Sequence, residues 1–184
     1  MTPQEIVLAT LDAVEKTGFD YVIVGALAAN AYSFARATKD ADFVLGVGMS
    51  GIKSLAPHLP PNFAIDPQPR MELLTGTHRW VIEIPGADFY VEIFHLGDDP
   101  HHREEFARRR KMMLPSIARE AWIPAPEDLV IQKLRWGRNK DLDDARNILS
   151  VQARVLDFAY IEKWCAMHGT RERLEEIRRS IPQD

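Results

Sequence analysis

One cysteine, no long apolar run and no surplus of positive charge define this 184-residue chain first by what they exclude. The lone Cys165 rules out an internal disulfide and any cysteine-rich zinc site, and its helix-like surroundings predict a buried thiol. No stretch approaches the ~20 apolar residues of a membrane-spanning helix. Polar Thr2, Gln4 and Glu5 stand where a signal peptide would be basic and then apolar. A soluble, cytoplasmic protein with no membrane partner is expected. The formal net charge of -4 argues against a general nucleic-acid coat, which neutralises phosphate with an excess of Lys and Arg. Repeats and low-complexity segments are lacking too. What remains, 46% hydrophobic and 27% charged residues, is an ordinary globular composition able to bury one sizeable core.

The chain opens on Thr2-Pro3-Gln4-Glu5, which reads as an N-cap, a proline at the first helical position and a capping-box glutamate. Ile6, Val7, Leu11 and Val14 continue an apolar stripe at helical spacing until Gly18 stops it. Tyr21 to Val24 predicts a short buried strand, 26–34 a small-residue helix and 41–47 a second strand. The stretch 49–58 predicts another helix, ended by Pro57, Pro60 and Pro61. Strands over 78–84 and 88–96 are joined by the hairpin turn Pro85-Gly86-Ala87. Beyond Asp98 the pattern turns helical, with a strongly basic helix over 103–113 and further helices over 126–136, 142–151, 158–168 and 171–180. The expected layout is α+β: an α/β core over 1–97 and an all-helical region over 98–184, forming one compact unit.

Chemistry concentrates where the second strand begins. Asp40 and Asp42 are two residues apart, so a strand projects both from one face toward a single point. Such a pair at a strand entry often does no more than solvate a sheet edge. Here its company is distinctive, with a strand, Gly25 and a helix upstream, Arg36 and Thr38 nearby, and Glu92 on a later strand between Val91 and Ile93. A carboxylate so placed is costly to bury unpaired. A divalent ion shared with Asp40 and Asp42 would remove that cost.

The succession Val22-Ile23-Val24-Gly25-Ala26, then Asp40-Ala41-Asp42, then Glu92 resembles the nucleotidyltransferase superfamily of the polymerase-beta type. Downstream, Pro126-Glu127-Asp128-Leu129 running to Lys133-Leu134, and Arg138-Asn139-Lys140-Asp141 running to Asp144, look like the second signature of small bacterial members related to abortive-infection and toxin-antitoxin systems. The resemblance covers roughly residues 20–150. It implies a nucleotidyltransferase-like mixed twisted sheet with packed helices, and a helical C-terminal part closing one side of the cleft. It implies Mg²⁺-dependent transfer of a nucleoside monophosphate from a nucleoside triphosphate such as ATP to a hydroxyl acceptor, with pyrophosphate leaving. RNA, tRNA in particular, is the acceptor that the toxin-like relatives suggest.

On this likeness Asp40, Asp42 and Glu92 hold Mg²⁺, with Glu92 alternatively taking the acceptor's proton. Gly25 and Ala26 would meet phosphate at the helix start, with Arg36 and Lys39 adding charge at the mouth. Lys133 would reach phosphate, and Asp141 and Asp144 would build the cleft floor or orient that lysine. Two departures stand out: Ala26 replaces the usual Gly or Ser, and Glu92 the common Asp. A binding-only module with a protein partner is therefore one alternative. Transfer to a small molecule such as an aminoglycoside is another, with Glu72, Glu83, Asp88, Asp98 and Asp99 as candidate pocket acids. The run Arg108-Arg109-Arg110-Lys111 reads either as a solvated helix face or as a grip on RNA. His95, His101 and His102 match no compact zinc spacing.

Overall fold

The computed structural model describes residues 1–182. Helix α1, Pro3–Thr17, starts as its sequence dictates: the Thr2 hydroxyl accepts from the Glu5 amide at 3.2 Å, and Glu5 accepts from the Thr2 amide at 2.7 Å. Strand β1, Tyr21–Val24, leads through Gly25 into a five-residue helix α2, Gly25–Ala29. Strand β2, Asp40–Leu45, pairs antiparallel with β1. A 3-10 segment, Met49–His58, follows, then the short strands β3, Ala64–Ile65, and β4, Arg70–Glu72. Strands β5, Thr77–Glu83, and β6, Tyr90–His95, form the expected hairpin.

The sheet order is β1-β2-β6-β5-β3, with β4 also paired to β5, and β2 runs parallel to β6. The sheet is therefore mixed, and its two faces differ in chemistry. Ile23, Phe43, Leu45, Ile82, Val91 and Ile93 enter the main hydrophobic core. Val22 and Val44 face the other way and form a small cluster with Phe106. Beyond that cluster the second face carries Asp40, Asp42 and Glu92, and it becomes the floor of the site.

After the sheet come α3, Pro100–Ala107, the hairpin β7, Arg110–Leu114, and β8, Arg119–Ile123, and four helices: α4, Pro126–Trp136; α5, Asn139–Val151; α6, Phe158–His168; and α7, Arg171–Ser180. Helices α4 to α7 match expectation, except that α5 begins three residues earlier than 142. The basic helix expected over 103–113 is helical only as far as Ala107, as the end of α3, and residues 110–114 form strand β7 instead. Asp99 caps α3 by accepting from the His102 amide at 2.9 Å, Pro100 takes the first helical position, and the helix ends at Ala107. The basic run hides a strand that buries only its last residue, Leu114, while its partner β8 buries Ala121 and Ile123. The 98–184 region is thus not all-helical, and its hairpin lies against β1.

Two smaller differences have local causes. Helix α2 stops at Ala29 rather than near 34, because the Asn30 side chain clasps the Arg36 backbone, donating to its carbonyl at 2.9 Å and accepting from its amide at 3.1 Å. The 49–58 segment winds as a 3-10 helix with Pro57, which has no amide to donate, inside it.

Candidate active site

The floor of the site follows from β-sheet register. Asp42 lies opposite Val24 on β1 and opposite Glu92 on β6, and Asp40 lies opposite Tyr90. Residues in register share a face. One cleft of about 550 Å³ is accordingly lined by Gly25, Asp40, Asp42, Tyr90, Glu92 and, from the helices across it, Lys133 and Asp141.

Gly25 is fixed by two requirements at once. Its φ of +68° is a left-handed conformation, and a Cβ there would sit 2.1 Å from Asp42 Oδ2. The missing side chain is the space the carboxylate occupies. Burial, followed by the charges of Asp40 and Glu92, pushes the Asp42 carboxyl up to about 7. Asp42 has no hydrogen-bond donor or ion-pair partner among the described residues, whereas the Thr38 hydroxyl donates to Asp40. Hard oxygen donors under mutual repulsion, at least one of them unpartnered, fit a divalent cation at Asp40 and Asp42.

Glu92 is differently placed. Arg79 Nη1 donates to both of its carboxylate oxygens, at 2.5 and 2.7 Å. No group of three or more His, Cys, Asp or Glu side chains is clustered closely enough to hold a metal among the described residues. Of the three expected acids, Asp42 is thus unpartnered among the described residues, Asp40 accepts from the Thr38 hydroxyl, and Glu92 is engaged by a guanidinium.

Lys133 is 5% exposed and does not snorkel to the surface. Its ammonium is held by Asp144 at 2.7 Å and Asp141 at 3.2 Å. Arg36 reaches the same Asp144 with two bonds, Nε at 2.7 Å and Nη2 at 2.8 Å, while Arg138 Nε holds Asp141 at 2.6 Å. Burial works to raise both aspartates, yet these cations keep them below the ordinary carboxylate range. The network ties the loop after α2 to α4 and α5. Arg36 and Asp144 thus sit behind the cleft rather than in its lining, Ala26 is buried, and Lys39 pairs with Asp88 on the exposed surface at 2.7 Å.

Of the acids considered for a small-molecule pocket, only Glu72 lines this cleft. Its oxygens already accept from the amides of Leu74 and Thr75, at 2.6 and 2.9 Å. Glu83, Asp88, Asp98 and Asp99 lie elsewhere. Half of the basic run is tied down: Arg108 bonds Asp128 at 2.9 Å and Glu127 at 3.4 Å, and Arg109 bonds Asp20 at 2.7 Å, while Arg110 and Lys111 are exposed. His101 is buried against Asp128, and His95 stacks on His78.

Sequence reasoning missed Arg79, Tyr90, Glu105, Gln132, Arg138 and Lys140 in the lining. For Arg79 a signal existed. Trp80 and Ile82 alternate into the core, which turns Arg79 and Val81 toward the face of Glu92, and Val81 is its register partner. Glu105, 2% exposed, gave no such signal, because it reaches the cleft only through the docking of α3. Burial pushes its carboxyl up to about 8.

This sheet, with its acid pair beside a glycine turn and helices across the cleft, is the nucleotidyltransferase fold. ANT(2'')-Ia, an antibiotic-resistance factor, aligns at 14% identity and a TM-score of 0.61, over 96% of this chain and 96% of its own. A second structure of it, in complex with adenylyl-2''-tobramycin, aligns at 15% and 0.61, over 94% and 99%. An antigenic nucleotidyltransferase-like protein from Paracoccidioides brasiliensis aligns at 19% and 0.59, over 99% and 94%. No family model matches the sequence, and no curated protein matches it.

Proposed function

We propose that the cleft transfers a nucleoside monophosphate from a nucleoside triphosphate to a hydroxyl acceptor, in a reaction dependent on Mg²⁺. The observation that carries this reading is the unpartnered Asp42 carboxylate beside Asp40, over a glycine whose missing side chain makes its room. Asp40 and Asp42 would hold the ion against the triphosphate. Bound Mg²⁺ would neutralise charge on the phosphates as pyrophosphate departs. Gly25 lets the backbone come close to phosphate. Lys140 lines the cleft with no ion pair among the described residues, and it would meet the leaving phosphates. Lys133, pinned by Asp141 and Asp144, would set a fixed positive charge beneath Asp42. Glu92 would face the acceptor and take its proton. In this arrangement the sheet of the 1–97 part supplies the acids, and α4 and α5 of the 98–184 part close the opposite side.

The acceptor is better read as a small hydroxyl compound than as RNA. The basic run that favoured RNA spends Arg108 and Arg109 on internal ion pairs. The adenylyl-2''-tobramycin bound by the structural neighbour supports the same reading.

The test incubates the protein and its Asp42→Asn variant with Mg²⁺, each α-labelled nucleoside triphosphate, and either bulk tRNA or a panel of small polyhydroxyl and amino-sugar acceptors. Label moved to a small acceptor by the wild type alone supports the reading. Label moved to tRNA restores the RNA acceptor. Nucleotide that raises the melting temperature with no transfer to any acceptor replaces the enzyme with a binding module.

A further inference from the structure

We propose that Arg79 takes the place of a second metal ion, so that the cleft holds one divalent cation, on Asp40 and Asp42, while the guanidinium fixes Glu92. This rests on the nucleotidyl-transfer reading and deepens it.

Three observations converge. First, a single guanidinium nitrogen, Arg79 Nη1, donates to both Glu92 oxygens, at 2.5 and 2.7 Å, and so covers the carboxylate edge that a shared ion would use. Second, Arg79 reaches that position by strand geometry and not by a chance surface encounter. It lies on β5 two residues from Val81, the register partner of Glu92, and on the same face, so the pleat itself directs it across the ladder. Third, no cluster of three acids able to hold a metal forms among the described residues, although Asp42 and Glu92 are register partners on adjacent strands.

An arginine is suited to the substitution. Its charge is permanent at any working pH, and here one of its nitrogens alone spans both carboxylate oxygens. It supplies one positive charge where an ion would supply two, and its presence repels a second cation from the same carboxylate. The guanidinium keeps Glu92 aimed along the cleft without a metal to hold it. Arg79 is on this account a positioning residue that acts through Glu92.

The experiment counts ions with the metal alone. Tb³⁺ is titrated into the folded protein, and luminescence excited through the cleft aromatics Tyr90 and Trp136 reports those bound inside. The wild type is expected to bind one ion, and Asp40→Asn with Asp42→Asn none. Glu92→Gln, which keeps the shape of the side chain, is expected to leave the count at one, because Glu92 holds no ion. Arg79→Met is expected to raise the count to two, and Arg79→Lys to keep it at one. Two ions in the wild type, or loss of an ion in Glu92→Gln, overturns the proposal while leaving nucleotidyl transfer standing. No sensitised ion in the wild type overturns the metal-dependent reading as well. The wild-type and Glu92→Gln counts decide the matter even if Arg79→Met fails to fold.

Discussion

Replacing Gly25 with alanine separates backbone strain from damage to the acid pair, because the chain supplies its own control. Gly18 and Gly25 have nearly the same φ, +72° and +68°. A Cβ at Gly18 meets nothing within 4 Å, whereas one at Gly25 falls 2.1 Å from Asp42 Oδ2 and 3.1 Å from its carboxyl carbon. The left-handed conformation costs alanine roughly 1–2 kcal/mol at either position. In a domain of this length that corresponds to a fall in Tm of roughly 2–8 °C. At Gly25 the carboxylate must also move by about an ångström, since real Cβ atoms essentially never show a contact below 3 Å. A displacement of that size at reacting groups costs on the order of 100-fold in rate. Both variants are therefore expected to melt lower by similar amounts, while only Gly25→Ala loses nucleotidyl transfer, by about 100-fold, and cleft-bound Tb³⁺ with it. Equal activity in Gly25→Ala and Gly18→Ala, at matched stability, would refute the claim that Gly25 exists to make room for Asp42.

Other perturbations test the support around the cleft. Glu105 has its carboxyl raised by burial to about 8, so the folded state holds a proton that the unfolded state releases near 4.5. Its stabilising contribution is complete below about 4.5 and is lost as pH rises through 8, at up to about 1.4 kcal/mol per pH unit. Glu105→Gln should remove that slope, and its advantage over wild type in urea melts should grow from pH 5 to pH 9. Asp144→Ala leaves buried Lys133 with Asp141 alone and strands Arg36; a loss of about 3–5 kcal/mol in urea unfolding is expected, well above that of Arg36→Ala. Arg108→Ala should cost about 1–3 kcal/mol by leaving buried Asp128 and Glu127 under-bonded, whereas Lys111→Ala, at an exposed pair with Glu120, should change stability by less than about 1 kcal/mol. Filter binding of tRNA that falls in parallel for both variants would show the run to be an RNA surface after all.

The parts of the fold legible in the sequence are those set by local chemistry. Thr2, Pro3 and Glu5 specify the start of α1 within one turn, and Gly18 its end. Strands β5 and β6 announce themselves by alternation around Pro85-Gly86-Ala87. The hairpin β7 and β8 did not, because its strand character depends on burial that only the partner strand and β1 provide, and a run of arginines carries no period of its own. The same distinction divides the site. Asp40 and Asp42 share a face by the arithmetic of a strand, so their convergence could be read directly. Asp141 and Asp144 could be read as sharing one face of α5, since a three-residue spacing fixes a helix face; their link to Lys133 on α4 was implied only by the family resemblance, and Arg36 joining them from 108 residues away could not be read at all.

Arg79 shows where the boundary lies. The alternation that buries Trp80 and Ile82 already assigned Arg79 to the opposite face, and Glu92 was assigned to a face by the same rule on β6. What the pattern lacks is relative register. A shift of one residue between β5 and β6 would turn Arg79 away from the acid and leave three carboxylates to be neutralised by metal alone. Pairing Val81 with Glu92 instead places a permanent cation beside that acid. The charge balance around Glu92 is thus decided by a hairpin register, and under the one-ion proposal the metal count would follow from it.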